Sequence, residues 1–148
     1  EDLLRNVASE LAKDIVRDAE GGTKVVEITV SGAASLGDAC KAADAVSLSP
    51  LVKTAMHGED PNWGRIIAAA GRSGATLNPQ ALRLKMNDAV LYDHGVWQGT
   101  DAESAAHEVM CQPEYTIELN LGVGSAKRTV YTCDFSADYV RINADYRS

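Results

Sequence analysis

The chain has 148 residues, 45% of them hydrophobic and 24% charged, and a formal net charge of −7. That length buries one sizeable core and reads most simply as one globular domain. The acidic balance argues against a nucleic-acid partner or an anionic membrane surface, because either wants a basic face.

Residues 1–19 predict an amphipathic helix. Leu3, Leu4, Val7, Leu11, Ile15, Val16 and Ala19 recur at steps of three and four, while Asp14, Arg17 and Asp18 lie off that stripe. Gly21-Gly22 ends it, since glycine takes the left-handed conformation of many helix exits. Residues 24–31 then alternate, with Lys24, Val26, Ile28 and Val30 on one face and Val25, Glu27, Thr29 and Ser31 on the other. This predicts a strand with one well-buried face. Ser35 reads as the N-cap of a helix to about Val46, with Leu36, Ala39, Ala43 and Val46 inward, and Pro50 as the stop signal beyond it.

Residues 51–56 predict a buried strand. Asp60 reads as the cap of a helix whose first position is Pro61, where the missing amide costs nothing, and which carries Trp63, Ile66, Ile67 and Ala70. Residues 71–79 are loop. Residues 82–86 alternate and turn at Asn87-Asp88 into residues 89–92 as a hairpin. Residues 101–111 predict a short helix capped by Thr100, with Glu103 three residues on. Residues 115–121 and 128–132 read as a last alternating pair joined by a turn at 122–125, and Ser136 as the cap of a final short helix around Tyr139. Helices mixed with hairpins predict an α+β (mixed α/β) class, with helices packed on mixed or antiparallel sheets.

Few residues carry obvious chemistry. Aromatic content is 5% with a single Phe, so aliphatic residues must fill the core. Cys40, Cys111 and Cys133 are odd in number, widely spaced and without a Cys-x-x-Cys pair. They weigh against structural zinc or a disulfide framework and fit a reducing cytosol. No apolar run nears the ~18 residues of a membrane helix, and no signal or transit peptide is visible. The first residue is Glu1 rather than Met, which reads as a processed or trimmed product. His57, His94 and His107 read as unpaired at metal-ligand spacing with carboxylates or Cys, so no metal site is predicted. Gly-Gly-Thr-Lys at 21–24 lacks the full phosphate-loop pattern and precedes a strand, and Gly122-Val123-Gly124 falls short of a dinucleotide fingerprint. No Ser-His-Asp or Cys-His arrangement can be assembled, so no catalytic residue is assigned within the chain.

Three positions remain as candidates for binding. Glu20 precedes two glycines, where a carboxylate can point into a cleft while the backbone lets a ligand come close. It suits the amino group of an amino acid through a charge-assisted hydrogen bond. It also reads as a solvated last-turn glutamate, mildly unfavourable against the helix dipole. Asn143 and Ser148 lie in a polar tail and offer neutral groups to a carboxylate or amide; the other reading is a frayed terminus. Asp60, Asn62, Trp63 and Arg65 have an account in folding alone: a cap, a packed ring, and an arginine paired with a nearby acid.

Three motifs give these positions a context. They are Asp18-Ala19-Glu20-Gly21-Gly22-Thr23-Lys24, then Gly58-Glu59-Asp60-Pro61-Asn62-Trp63-Gly64-Arg65, then Tyr139-Val140-Arg141-Ile142-Asn143-Ala144-Asp145-Tyr146-Arg147-Ser148. In order and spacing they resemble the ornithine acetyltransferase (glutamate N-acetyltransferase) family, the bifunctional enzymes of arginine biosynthesis, over nearly the whole chain.

The resemblance implies transfer of acetyl from N-acetylornithine to glutamate, with acetyl-coenzyme A a further donor in many members and no other cofactor or metal. It implies a precursor that cuts itself before a threonine in an Ala-Thr-Met-Leu type segment, that threonine then being the nucleophile. No such segment is present, and Ala75-Thr76-Leu77 lies on the wrong side of the signature run. The nucleophile is therefore expected upstream, and the chain is expected to be the C-terminal part of the β chain. Its expected partners are the α chain and the N-terminal part of the β chain, in a cytoplasmic α2β2 heterotetramer. Glu20 matches the family's substrate-contacting glutamate. Asn143 and Ser148 match an Asn and a terminal-segment Ser or Thr that reach back into the active site. About 1–35 would continue the catalytic core, about 36–135 form a smaller α/β lobe, and about 136–148 be the returning tail. The alternatives are a non-catalytic amino-acid-binding or assembly module and a related self-processing amidase or aminopeptidase.

Overall fold

The structure is a computed structural model and describes residues 2–145. The amphipathic start folds as α1 (Asp2–Arg17). Its apolar stripe does not enter the core: Leu4 and Ile15 are each 75% exposed, and Leu3 and Leu11 are exposed as well. Polar contacts fasten the helix instead. Ser9 Oγ and Tyr131 Oη lie 2.6 Å apart, and Arg17 Nε pairs with Glu114 Oε1 at 2.7 Å.

The alternation that follows becomes β1 (Val25–Ala33), with Val26, Ile28 and Val30 completely buried. Next is α2 (Leu36–Ser47), capped as expected by Ser35, whose Oγ accepts from the Asp38 amide at 3.1 Å. Ala39, Ala42, Ala43 and Val46 face inward; Leu36, expected inward, stands exposed on the first turn.

Residues 51–56 are not a strand. They belong to α3 (Pro50–His57), whose N-cap is Ser49. A six-residue segment with four apolar residues has no decisive period. Ser-Pro ahead of it is the N-cap and first position of a new helix rather than the end of the previous one. Val52, Ala55 and Met56 turn inward at helical spacing and Leu51 is exposed. In the next helix, α4 (Trp63–Gly71), the cap is Asn62 rather than Asp60: Asn62 Oδ1 accepts from the Arg65 amide at 3.1 Å. Asp60 and Pro61 form the turn before it, with the Trp63 amide on the Pro61 carbonyl at 2.8 Å.

β2 (Arg83–Met86) and β3 (Ala89–Asp93) make the expected hairpin around Asn87-Asp88, and β3 pairs onward with β4 (Val96–Trp97). In α5 (Thr100–Met110), Thr100 is the first helical residue, and Gly99, at φ +91°, takes the cap position without a side-chain bond.

The last two strands, β5 (Glu114–Asn120) and β6 (Ala126–Cys133), are real but do not pair with each other. β1 lies between them, parallel to β5 and antiparallel to β6, in a six-stranded sheet of order β4-β3-β2-β5-β1-β6. The connecting segment crosses the end of β1: the amides of Val123 and Gly124 both donate to the Gly32 carbonyl, at 2.9 and 2.8 Å. A tight hairpin would have left the most apolar strand at the sheet edge with an unpaired ladder, an arrangement folds avoid. The last described element is α6 (Ala137–Asp145).

The fold is thus of the mixed α+β class. Val26, Ile28, Leu84, Ile117 and Leu119 of the sheet join residues of α2, α3, α4 and α5 in one hydrophobic cluster. α1 lies on the other face, where Lys13 Nζ sits 5.4 Å from the Tyr131 ring centre. Among the described residues no helix is long and apolar enough to cross a membrane.

Candidate functional site

Where β6 ends, one buried carboxylate gathers three segments. The side chain of Asp134 is fully buried. Its Oδ1 accepts the amides of Thr23 at 2.7 Å and Lys24 at 2.9 Å, and its Oδ2 accepts the Thr23 hydroxyl at 2.7 Å. His57 Nδ1, at the end of α3, lies 2.7 Å from Oδ2 and carries the proton of that contact. Desolvation pushes the Asp134 carboxyl up, but the hydrogen bonds from Thr23, His57 and Lys24 outweigh it and hold the group below its ordinary range.

Around this carboxylate the turn after α1 meets the start of α6. Ser136 Oγ donates to the Gly21 carbonyl and accepts the Tyr139 amide at 3.0 Å, so it caps α6 while holding the turn that follows α1. Gly21 sits at φ +72°, and a Cβ there would stand 2.5 Å from the Tyr139 nitrogen. Only glycine allows so close an approach. Beside the contact is a pocket of about 220 Å³ lined by Leu48, Pro50, Lys53, Cys133, Asp134, Phe135 and Tyr139. The Phe135 and Tyr139 rings meet edge-on at 5.0 Å, and Lys53 Nζ lies 3.7 Å from Cys133 Sγ.

Lys24 extends the network. Its buried ammonium donates to Glu59 Oε1 at 2.6 Å and to the Met110 carbonyl at 2.8 Å. Glu59 has the positive φ of +55°. Its carbonyl accepts from His107 Nδ1 at 2.7 Å, and its Oε2 accepts from the Cys111 thiol at 3.4 Å. His107 Nε2 faces the same sulfur at 3.7 Å. The hydrogen bond from Lys24, then that from Cys111, hold the Glu59 carboxyl below its ordinary range. Desolvation and the Glu59 carboxylate push the Cys111 thiol up.

A family model described as "ArgJ family" matches residues 1–148. The chain belongs to the ArgJ family. It is 51% identical over 146 residues to the "Arginine biosynthesis bifunctional protein ArgJ" of Geobacter sulfurreducens, covering 99% of this chain and 37% of that protein. To the ArgJ protein of Schizosaccharomyces pombe, named as mitochondrial, it is 48% identical over 153 residues, covering 99% of this chain and 34% of that one. A crystal structure of the ArgJ protein from Bacillus halodurans superposes with a TM-score of 0.90 at 38% identity, covering 98% of this chain and 68% of that chain. The chain therefore spans 37% of the length of the first of these curated relatives. The resemblance read from the three motifs is borne out, and so is the α+β class.

On this ArgJ fold the predicted binding residues fall as follows. Glu20 is exposed on the turn that docks against α6. Asn143 is exposed on α6 itself, one turn beyond Tyr139, and its Nδ2 donates to the Tyr139 carbonyl at 2.9 Å. The structure thus brings the supporting backbone of these two residues together through Gly21, Ser136 and Tyr139. Neither side chain lines the pocket beside Asp134. Ser148 lies outside the described residues.

Within the signature run, Trp63 and Arg65 make packing and hydrogen-bond contacts. Trp63 stacks on Tyr92 with ring centres 5.3 Å apart, and its Nε1 donates to Glu103 at 3.3 Å. Among the described residues Arg65 does not pair with an acid as expected. Its guanidinium donates to the Leu51 carbonyl at 3.0 Å and the Thr54 hydroxyl at 3.4 Å, satisfying groups of α3.

Sequence reasoning missed Asp134 entirely, because its partners lie 77 to 111 residues away and no local pattern marks it. It also missed the pairing of His107 with Cys111. Their four-residue spacing on one helix face was the available signal. Glu59 reaches them only through the fold.

Proposed function

We propose that this chain is the substrate-positioning share of a glutamate N-acetyltransferase that moves acetyl from N-acetylornithine to glutamate. The observation that carries this reading is the docking of the Glu20-Gly21 turn onto the start of α6, in a chain that belongs to the ArgJ family over residues 1–148. Two strongly polar positions far apart in sequence are thereby held on a shared rigid support, the arrangement needed to fix both ends of a small amino acid.

In this reading the nucleophile is a threonine upstream of the chain, freed by autocatalytic cleavage. It attacks the acetyl carbonyl, forms an acetyl-enzyme and releases ornithine; the amine of glutamate then takes the acetyl group. Donors outside this chain stabilise each tetrahedral state. Glu20 takes the substrate's ammonium group by a charge-assisted hydrogen bond, and Asn143 and Ser148 take its carboxylate. Orientation of the reacting amine against the acetyl carbon is the contribution of these residues. The partners are the α chain and the rest of the β chain in a cytoplasmic α2β2 assembly, and acetyl-coenzyme A serves as a second acetyl donor.

The test is acetyl transfer by the full gene product, wild type against Glu20→Ala. The variant should fold normally, since Glu20 is exposed. Its KM for the amino-acid substrate should rise at least about tenfold, the worth of a hydrogen bond to a charged group. Full activity in the variant would remove Glu20 from the site. Acetate release that does not depend on glutamate would assign the protein to the amidases instead.

A further inference from the structure

We propose that Glu59, His107 and Cys111 form a binding site for a divalent cation of the zinc class, through one carboxylate oxygen, one imidazole nitrogen and one thiolate sulfur. The inference is independent of the acetyltransferase reading.

The first argument is spacing. Cys111 Sγ lies 3.4 Å from Glu59 Oε2 and 3.7 Å from His107 Nε2, and one donor atom from each residue falls within 4.8 Å of the others. Zinc bonds sulfur at about 2.3 Å and nitrogen or oxygen at about 2.0–2.2 Å with tetrahedral angles, which puts neighbouring ligands about 3.3–3.7 Å apart. Both separations to sulfur already match the edges of such a tetrahedron. The sites come from two elements fixed by the core: the end of α5 supplies His107 and Cys111, and the loop between α3 and α4 supplies Glu59.

The second argument is orientation. The Glu59 carbonyl can only accept, so the His107 Nδ1 that faces it at 2.7 Å bears the ring proton. Nε2 is then left with its lone pair, on the side of the sulfur. Glu59 Oε1 is occupied by the buried Lys24 ammonium, itself anchored on the Met110 carbonyl, which leaves Oε2 toward the thiol. A histidine that donates its second nitrogen to a carbonyl and a carboxylate that is hydrogen-bonded from behind are the supports that metal ligands ordinarily have.

The third argument is the donor set. Mixed sulfur, nitrogen and oxygen donors suit zinc and its borderline neighbours, whereas magnesium and calcium take oxygen. His107 and Cys111 are exposed and Glu59 is partly so, which gives an ion a direct route from solvent. Three protein donors leave the fourth tetrahedral position to water. As the metal–sulfur bond forms, the Cys111 thiol proton passes to solvent, one proton per ion bound.

The test is titration of the chelator-treated full gene product with cobalt(II), which reports thiolate coordination by a charge-transfer band in the near ultraviolet. One cobalt per chain should produce the band, and zinc should displace it. Cys111→Ser should abolish the band, while His107→Ala and Glu59→Gln weaken binding at least about tenfold. Cys40→Ser and Cys133→Ser should leave it unchanged. Circular dichroism of each variant checks folding, and His107→Ala serves as the independent variant if Cys111→Ser does not fold. Absence of the band at equimolar cobalt, its survival in Cys111→Ser, or its loss in Cys40→Ser or Cys133→Ser would overturn the proposal.

Discussion

Asp134 accepts both the amide and the hydroxyl of Thr23, at 2.7 Å each, across 111 residues of chain. This pairing fixes the entry to β1 against the exit from β6, so the register of the two strands and the position of the preceding glycine turn are set together. Asp134→Ala would leave the Thr23 and Lys24 amides without their acceptor in a buried setting. A loss of about 3 kcal/mol is expected, typical of breaking a buried charged network from one side. Asp134→Asn should cost less, because an amide oxygen can still receive both backbone groups. Urea unfolding of the three proteins checks the ranking.

The same carboxylate sets an acid limit on stability. Its folded-state value lies below the ordinary one of about 3.9, so the folded state favours the ionised form. The contribution is fully present above about pH 4 and is lost as pH falls through the depressed folded value. Unfolding free energy should therefore decline with acidification below about pH 4. The decline should be shallower in Asp134→Asn, which has no proton to take up there. Equal slopes in the two proteins would mean that other carboxylates govern acid unfolding.

Gly21→Ala tests the contact between the turn after α1 and the start of α6. The new methyl group would have to sit in the left-handed region, at a cost of about 1–2 kcal/mol, and would press on the Tyr139 backbone. The expected result is a loss of at least about 2 kcal/mol together with selective release of α6, seen as faster hydrogen exchange at the Tyr139 amide. If α6 keeps its protection, the contact at Gly21 is not what holds the helix.

The parts of the fold that were legible in the sequence are those where a local pattern and the tertiary environment agree. Val26, Ile28 and Val30 alternate and are all buried; Ser35 reads as a cap and is one. The run from Leu51 to Met56 misled because four apolar residues among six fit either period, and only Ser49-Pro50 ahead of it distinguishes a helix. The β5–β6 pairing misled because a strand ninety residues earlier is a better neighbour to both than they are to each other. Of the candidate site, the glycine turn after α1 and the Ser136 cap of α6 were visible through turn and capping chemistry. The networks of Asp134 and Glu59 were not, since such a carboxylate is defined by who donates to it and that is known only once the chain is folded.

α1 offers a contrast between a readable pattern and its use. Leu11 belongs to the predicted apolar stripe yet is 59% exposed, while Ile28 is at 0%. Leu11→Ser in this chain should change stability by no more than about 0.5 kcal/mol, as surface substitutions do. Ile28→Ala should cost about 2–5 kcal/mol through lost burial and the cavity left behind. Chemical denaturation of both variants decides it, and a large loss in Leu11→Ser would show that the stripe is packed in solution.

Asn143 separates a binding role from a structural one. Among the described residues its amide donates to the Tyr139 carbonyl of its own helix, at 2.9 Å and in solvent. Asn143→Ala trades that bond for better helix propensity, so stability should stay within about 0.5 kcal/mol. If the amide instead turns to a substrate carboxylate, the lost hydrogen bond to a charged group is worth about 1.5–3 kcal/mol, a rise in KM of about ten- to a hundredfold. An unchanged thermal midpoint with a raised KM for glutamate in the full gene product is the expected outcome. Unchanged KM and kcat together would leave Asn143 as a helix surface residue and confine the site to the Glu20 turn.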